Sequence, residues 1–125
     1  MAVAISRFAS VLDGIGFGYL KDPVFAQIVE RDLTDGQHRN PTNKPGYFVD
    51  TFFHHPDELK TETIEAGFEV QGVLGIEGPS RLAPGFDEWW SNEAHREELL
   101  KAARRLESEP TMIGVSAHFM VIGRK

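Results

Sequence analysis

The segment 35–40 carries five polar side chains that could line the rim of a binding pocket. His38 titrates near neutral pH and could act as a general base, while the Arg39 guanidinium could bind a carboxylate or phosphate through two hydrogen bonds. Asn40 and Tyr47 add an amide and a phenol nearby. We therefore predict that His38, Arg39, Asn40 and Tyr47 bind a small molecule with polar and aromatic parts. The alternative is a surface loop whose side chains bond only to its own backbone.

Two adjacent tryptophans, Trp89 and Trp90, form a second candidate group for substrate binding. They lie between the last two predicted strands, where large aromatic side chains could close over an apolar substrate. The alternative is that both rings pack this segment onto the body of the domain, which is the commoner use of aromatic side chains.

The histidines do not have the spacing of a metal site. His55 precedes Pro56 and is therefore extended, so the side chains of His54 and His55 point in opposite directions. The other histidines lie far apart at positions 38, 95 and 118, whereas a metal site needs three or four convergent ligands. We predict no metal site, a role for His55 as a helix cap or turn residue, and a half-buried, hydrogen-bonded His118.

The glycines at 14, 16 and 18 superficially match a loop that binds a dinucleotide or a similar cofactor. Such a loop needs a strand before it and an unbroken helix after it. Residues 6–13 pattern as a helix instead, and Pro23 interrupts any helix that would follow. We interpret the glycines as a break between two helices and predict no cofactor-binding residue here. A nucleotide-binding role for this segment is the remaining alternative.

The elements that must position these residues alternate between helix and strand, which predicts one α/β domain over residues 1–125. Pro56 suits the first position of a helix, and Gly67 suits the left-handed residue after its end. The last strand is apolar on both of its faces, so we expect it to be covered on both sides. One face of the second helix carries Phe25, Ile28, Val29 and Leu33. The predicted elements are a strand ending at residue 5, helices over 6–13 and 23–36, a loop over 35–46, an extended segment over 47–53, a helix over 56–66, a strand over 68–76, a helical turn over 86–90, a helix from 91 or 92 that ends before 110, and a strand over 112–124.

Charge and composition exclude several classes of protein. The net charge of −6 and the scattered basic residues argue against binding to nucleic acid. The chain has no cysteine, which removes disulfides and thiolate ligands. It also lacks an apolar run of the roughly 18 residues that span a membrane, and its start lacks the layout of a signal peptide. We expect a cytoplasmic protein with no membrane or nucleic-acid partner.

Three segments together resemble the C-terminal half of a class I S-adenosylmethionine-dependent methyltransferase. Residues 2–7 resemble the end of its fifth strand. Pro-Asp-Glu-Leu at 56–59 and Ala-Gly-Phe at 66–68 resemble the last crossover helix and the start of the sixth strand. Residues 114–125 resemble its seventh strand, which is antiparallel. The resemblance covers essentially the whole chain, and the order of the segments is its most specific feature.

This resemblance implies a partial Rossmann-like sheet made from the end of strand 5 and from strands 6 and 7, with about four helices. It implies a substrate-side half in which Arg7 joins the residues that bind the methyl acceptor. The first four strands of the family hold S-adenosylmethionine, so we expect a truncated form that is inactive alone and binds no cofactor. The alternative is a non-catalytic α/β module that pairs with itself or with a partner through an exposed sheet edge.

Overall fold

The computed structural model describes all 125 residues and contains five α-helices and five β-strands. Three short 3-10 turns lie between them at Tyr19–Lys21, Gly78–Leu82 and Ile113–Val115. The structure is thus of the α/β class, as the sequence predicts. In chain order the elements are β1 (Ala2–Ile5), α1 (Ala9–Gly16), α2 (Pro23–Asp35), β2 (Gln37–His38), β3 (Thr51–Phe52), α3 (Pro56–Glu65), β4 (Glu69–Gly75), α4 (Phe86–Ser91), α5 (Glu93–Leu106) and β5 (His118–Arg124).

The main sheet has three strands in the order β1-β5-β4, so the last strand of the chain lies in the middle. β5 is antiparallel to both neighbours, with Ala4 opposite Phe119 on one side and Val73 opposite Val121 on the other. β1 and β4 consequently run parallel to each other, and their carboxyl ends lie at the same edge of the sheet. β2 and β3 form a separate antiparallel hairpin of two residues each.

Helix α3 covers one face of this sheet. Its Leu59 packs with Ala4, Phe119 and Val121 in an apolar cluster that Ile113 completes. The opposite face is only partly covered, because Met120 and Ile122 of β5 keep intermediate exposure. The prediction that the last strand is covered on both faces is therefore wrong. Helices α1 and α2 pack mainly on each other and on the 3-10 turn that joins them.

Helices α2 and α3 confirm the boundaries that their end signals predict. Asp22 caps α2 by accepting a hydrogen bond from the Val24 amide, and Gly36 ends the helix at φ 73°. His55 caps α3, and Glu58 bonds back to the His55 amide to complete a capping box. Gly67 follows α3 at φ 83°. Only one feature of α2 differs from prediction, since Leu33 is exposed.

Three other boundaries differ from prediction. α1 begins at Ala9 and continues through Gly14 and Gly16, so only Gly18, at φ 75°, lies outside the helix in the left-handed region. The last strand starts at His118, because residues 113–115 form a 3-10 turn. The predicted loop 35–46 contains β2, and the extended segment 47–53 is a strand only at Thr51–Phe52. No helix is both long enough and apolar enough to cross a membrane.

Candidate functional site

His38 is completely buried, and both of its ring nitrogens are engaged within the chain. Nδ1 lies 2.8 Å from Asp32 Oδ2, and Nε2 donates to the Tyr47 carbonyl at 2.8 Å. The ring also stacks on Phe53 at 4.7 Å. Burial lowers the pKa of His38, but the hydrogen bond and charge of Asp32 outweigh it and raise the pKa above 6.5. In this arrangement the buried His38 joins α2 to the 38–53 loop, and neither ring nitrogen is open to a base role.

Arg39 and Asn40 bond to the loop that carries them. Arg39 is exposed and donates to the His38 and Thr51 carbonyls and to the Gln37 side chain. The Asn40 side chain donates to the Phe48 carbonyl at 2.9 Å, and its oxygen accepts from residue 42. These contacts match the alternative of a surface loop whose side chains bond to the loop's own backbone. A substrate-binding role for either residue stays a prediction.

Tyr47 lies beneath the same loop and is 6% exposed. Its hydroxyl donates to Asp22 Oδ2 at 2.9 Å, and Lys44 donates to the same oxygen at 2.6 Å. The hydrogen bond from Lys44, helped by the Val24 amide and by Tyr47, lowers the pKa of Asp22 to about 2. The Tyr47 ring packs on Phe25, so this side chain mainly anchors the loop on α2.

Arg7 follows β1 and is almost fully buried. Its Nη2 donates to both carboxylate oxygens of Glu58 at 2.7 and 2.6 Å, and its Nε donates to the Phe53 carbonyl at 3.2 Å. The guanidinium therefore fastens the end of β1 to the first turn of α3. These contacts leave little of it for the predicted role in acceptor binding.

Trp89 and Trp90 lie on α4 and are each 44% exposed. Trp90 stacks on Phe86, and Trp89 contacts His95 of α5. The structure thus places the tryptophans on one helix and His38, Arg39, Asn40 and Tyr47 on another part of the chain. The predicted site residues do not line one common pocket.

A second polar group lies where β4 leaves the sheet and β5 enters it. The Glu77 carboxylate accepts hydrogen bonds from the His118 ring at Nδ1, from the His118 amide and from the Ser116 hydroxyl. Burial raises the pKa of Glu77, but these hydrogen bonds outweigh it and hold the pKa below 4.5. Glu77 thereby fixes the tautomer of His118 and leaves Nε2 without a partner on a side chain that is 41% exposed. A carboxylate-oriented imidazole of this kind can accept a proton.

Asp13 and Arg81 extend this group towards the surface. Arg81 donates to Asp13 Oδ2 at 2.9 Å, while Oδ1 of the buried Asp13 has no partner. Burial raises the pKa of Asp13 above 3.8, although Arg81 acts in the opposite direction. The charge of Glu77 also raises the pKa of Asp13, to a smaller extent than burial does.

A cleft of about 820 Å³ opens beside Arg81. Its walls are the end of α1 and the segment that leads from β4 into α4. One wall belongs to the helix that follows β1, and the other belongs to the segment that follows β4. The residues that line the cleft are Gly16, Phe17, Arg81, Leu82, Ala83, Pro84, Gly85, Phe86, Asp87 and Glu88. We call this space the α1–α4 cleft, and of the polar residues 13, 77, 81 and 118 only Arg81 lines it.

Neither the α1–α4 cleft nor the pairing of Glu77 with His118 was predictable from local sequence. Glu77 and His118 are 41 residues apart, and Arg81 and Asp13 are 68 apart. The sequence does predict that His118 is partly buried and hydrogen-bonded, and the structure confirms this. The available signal is an acidic residue directly after a strand, at Glu77, since strand ends collect functional side chains.

The chain offers no cradle for the phosphates or ribose of a nucleotide cofactor at its glycines. Gly14 and Gly16 lie inside α1, where a side chain at Gly14 would approach Leu20 within 2.7 Å. They are therefore explained by close packing and not by the approach of a ligand. No group of three or more acidic or histidine side chains is arranged to hold a metal ion.

No protein-family model matches this chain. No curated protein shows significant sequence similarity to it either.

Proposed function

We propose that this chain is the acceptor-side part of a class I S-adenosylmethionine-dependent methyltransferase, with the α1–α4 cleft as the acceptor site. The observation that carries the proposal is the sheet. The resemblance implies a last strand antiparallel to its neighbours, and β5 lies antiparallel between β1 and β4. A helix that ends at Gly67 and leads directly into β4 is the other implied feature, and α3 has this form.

The described residues would bind and orient the acceptor but not S-adenosylmethionine. Methyl transfer depends mainly on the position of the acceptor and the exclusion of water, which a cleft of this kind can provide. His118 and Glu77 do not line this cleft, so no proton acceptor is assigned within it. The glycines of α1 do not fit the cofactor, so no step is assigned to it in this chain.

The test compares this chain with the polypeptide encoded when the reading frame is extended upstream. The extension is expected to encode a strand, a glycine-rich loop and a helix, and the longer chain should bind S-adenosylmethionine and transfer its methyl group. Residues 1–125 should give no heat of binding with S-adenosylmethionine in calorimetry. Micromolar binding by residues 1–125, or an upstream frame without a glycine-rich loop, would refute the proposal.

One observation favours the second candidate, a module that pairs with another copy through its sheet edge. β1 bonds to β5 on one side, while on its other side the Ile5 carbonyl accepts from the His54 amide and residues 2–4 have no strand partner. Val3 is 58% exposed, and beside this edge lies an apolar cavity of about 270 Å³ bordered by Met1, Leu59 and Phe68. A strand edge that is free over three residues beside an apolar surface favours strand addition. Light scattering after size exclusion should then show a dimer that Val3→Lys converts to a monomer, and a monomeric native chain would exclude this candidate.

A further inference from the structure

We propose that the α1–α4 cleft selects a ligand with an aromatic or similarly flat apolar body and a protonated amino group. The inference builds on the proposed function, since it names the chemical class of the acceptor. The volume of the cleft, about 820 Å³, lies within the range of small-molecule sites.

The walls supply apolar contact from both sides. Phe17 follows α1 and is 54% exposed, and Phe86 opens α4 on the other wall. Leu82 and Pro84 lie between them along the lining. Aromatic rings on both walls, with Phe17 exposed and Phe86 half-buried, favour a flat apolar ligand and also attract cations to their faces.

The charges of the lining favour a cation. Arg81 is its only cationic residue, and Asp13 already holds that guanidinium at 2.9 Å. Asp87 and Glu88 are both exposed on the lining, and neither carboxylate forms an ion pair or accepts a hydrogen bond. The lining therefore carries two unpaired negative charges and no unpaired positive charge. An anionic ligand would meet their repulsion, whereas an ammonium group can pair with either one.

Acidic residues in the first turn of a helix also favour the helix itself, and Asp87 and Glu88 occupy that turn of α4. A single carboxylate on any side of the first turn would be enough to stabilise the helix in this way. This stabilisation does not require that both face a cleft walled by phenylalanines. The combination of cleft, aromatic walls and unpaired carboxylates is what points to an aromatic amine.

The experiment is a titration of the ¹⁵N-labelled chain with 2-phenylethylamine, followed by the amide signals of Gly16, Phe17 and Gly85. 2-Phenylethanol and 3-phenylpropionate serve as neutral and anionic ligands of similar size. We expect the amine to bind several-fold more tightly than the alcohol and the carboxylate to bind most weakly. Affinity for the amine should fall as salt is added, because the rim carboxylates are exposed.

The variant Asp87→Asn with Glu88→Gln should weaken binding of the amine by about three- to tenfold and leave the alcohol unchanged. A matched control, Glu93→Gln with Glu97→Gln, removes two charges from α5 and should change neither affinity. The inference is overturned if the three ligands bind equally, if the signals of the cleft do not move, or if the rim variant binds the amine normally.

These measurements need no cofactor, so they separate the two proposals. A longer chain that transfers methyl groups but whose cleft does not prefer amines would refute the inference alone. A cleft that prefers amines in a chain without any methyltransferase extension would refute the proposed function alone.

Discussion

Gly36 and Gly67 end two helices with the same backbone geometry but in different surroundings. Their φ values are 73° and 83°. A Cβ added at Gly67 would meet no heavy atom within 4 Å. A Cβ added at Gly36 would overlap the carbonyl oxygen of Phe53 and lie 2.8 Å from Arg7 Nη2. Gly67→Ala therefore measures backbone strain alone, and Gly36→Ala measures strain plus steric overlap.

The expected costs follow from these surroundings. An alanine in the left-handed region costs about 1–2 kcal/mol, which is the expected loss for Gly67→Ala. At Gly36 neither neighbour can move freely. Arg7 is bound to both oxygens of Glu58, and the Phe53 amide bonds to the Gly36 carbonyl. Overpacking of this kind adds about 1–3 kcal/mol, so Gly36→Ala should cost roughly 2–5 kcal/mol in total.

Urea denaturation followed by circular dichroism measures both free energies of unfolding. The double variant provides a control, because two separate sites should give additive losses. Equal losses in the two single variants would refute the reasoning. They would mean that the joint between α2, Arg7 and the loop before α3 is not packed as described.

Three further predictions concern the packing around α2. The pKa of His38 is raised above 6.5 by Asp32 despite burial, so its contribution to stability is complete below pH 6.5 and declines as the pH rises through the higher folded-state pKa. Denaturation across this range should show the decline in the native chain but not in Asp32→Asn, and equal profiles would contradict it. Phe25→Ala should cost about 3–5 kcal/mol in the same assay because the ring is fully buried, and a loss well below this range would show a looser core. Asp22→Ala removes the cap of α2 and the acceptor of the Tyr47 hydroxyl, so amide hydrogen exchange should accelerate in the first turn of α2; an unchanged rate would contradict the capping role.

Local sequence signals predict the elements whose ends are chemically marked. Asp22 and Pro23 open α2, and Gly36 closes it, because capping depends on neighbours within a few residues. The same is true of α3 with its capping box. Such signals predict the ends of helices correctly because the capping hydrogen bonds need no distant residue.

Other features depend on contacts that sequence periodicity does not encode. Gly14 stays helical because Leu20 and Phe25 pack closely against it, which overrides the low helix propensity of glycine. Residues 113–115 alternate like a strand but turn because Ile113 enters the cluster beneath α3. His38 is polar and follows a helix, as a surface loop residue would, yet Asp32 six residues earlier draws it into the interior.

The candidate sites differ in the same way, one being local in sequence and the other long-range. The segment 35–40 is a candidate site in the sequence because several polar residues are clustered in it. In the structure most of these side chains bond to the loop itself. The α1–α4 cleft is built from pairs that are distant along the chain, such as Asp13 with Arg81. Only the assembled sheet brings these residues together.

The central position of β5 imposes an order on biosynthesis. β1 is translated before β4, and neither meets β5, its partner in the main sheet, until residues 118–124 leave the ribosome. Until then, helices α2 and α3 can form from local signals while the sheet cannot. A nascent chain stalled before His118 would therefore expose the apolar faces of β1 and β4, which makes it a substrate for chaperones and proteases.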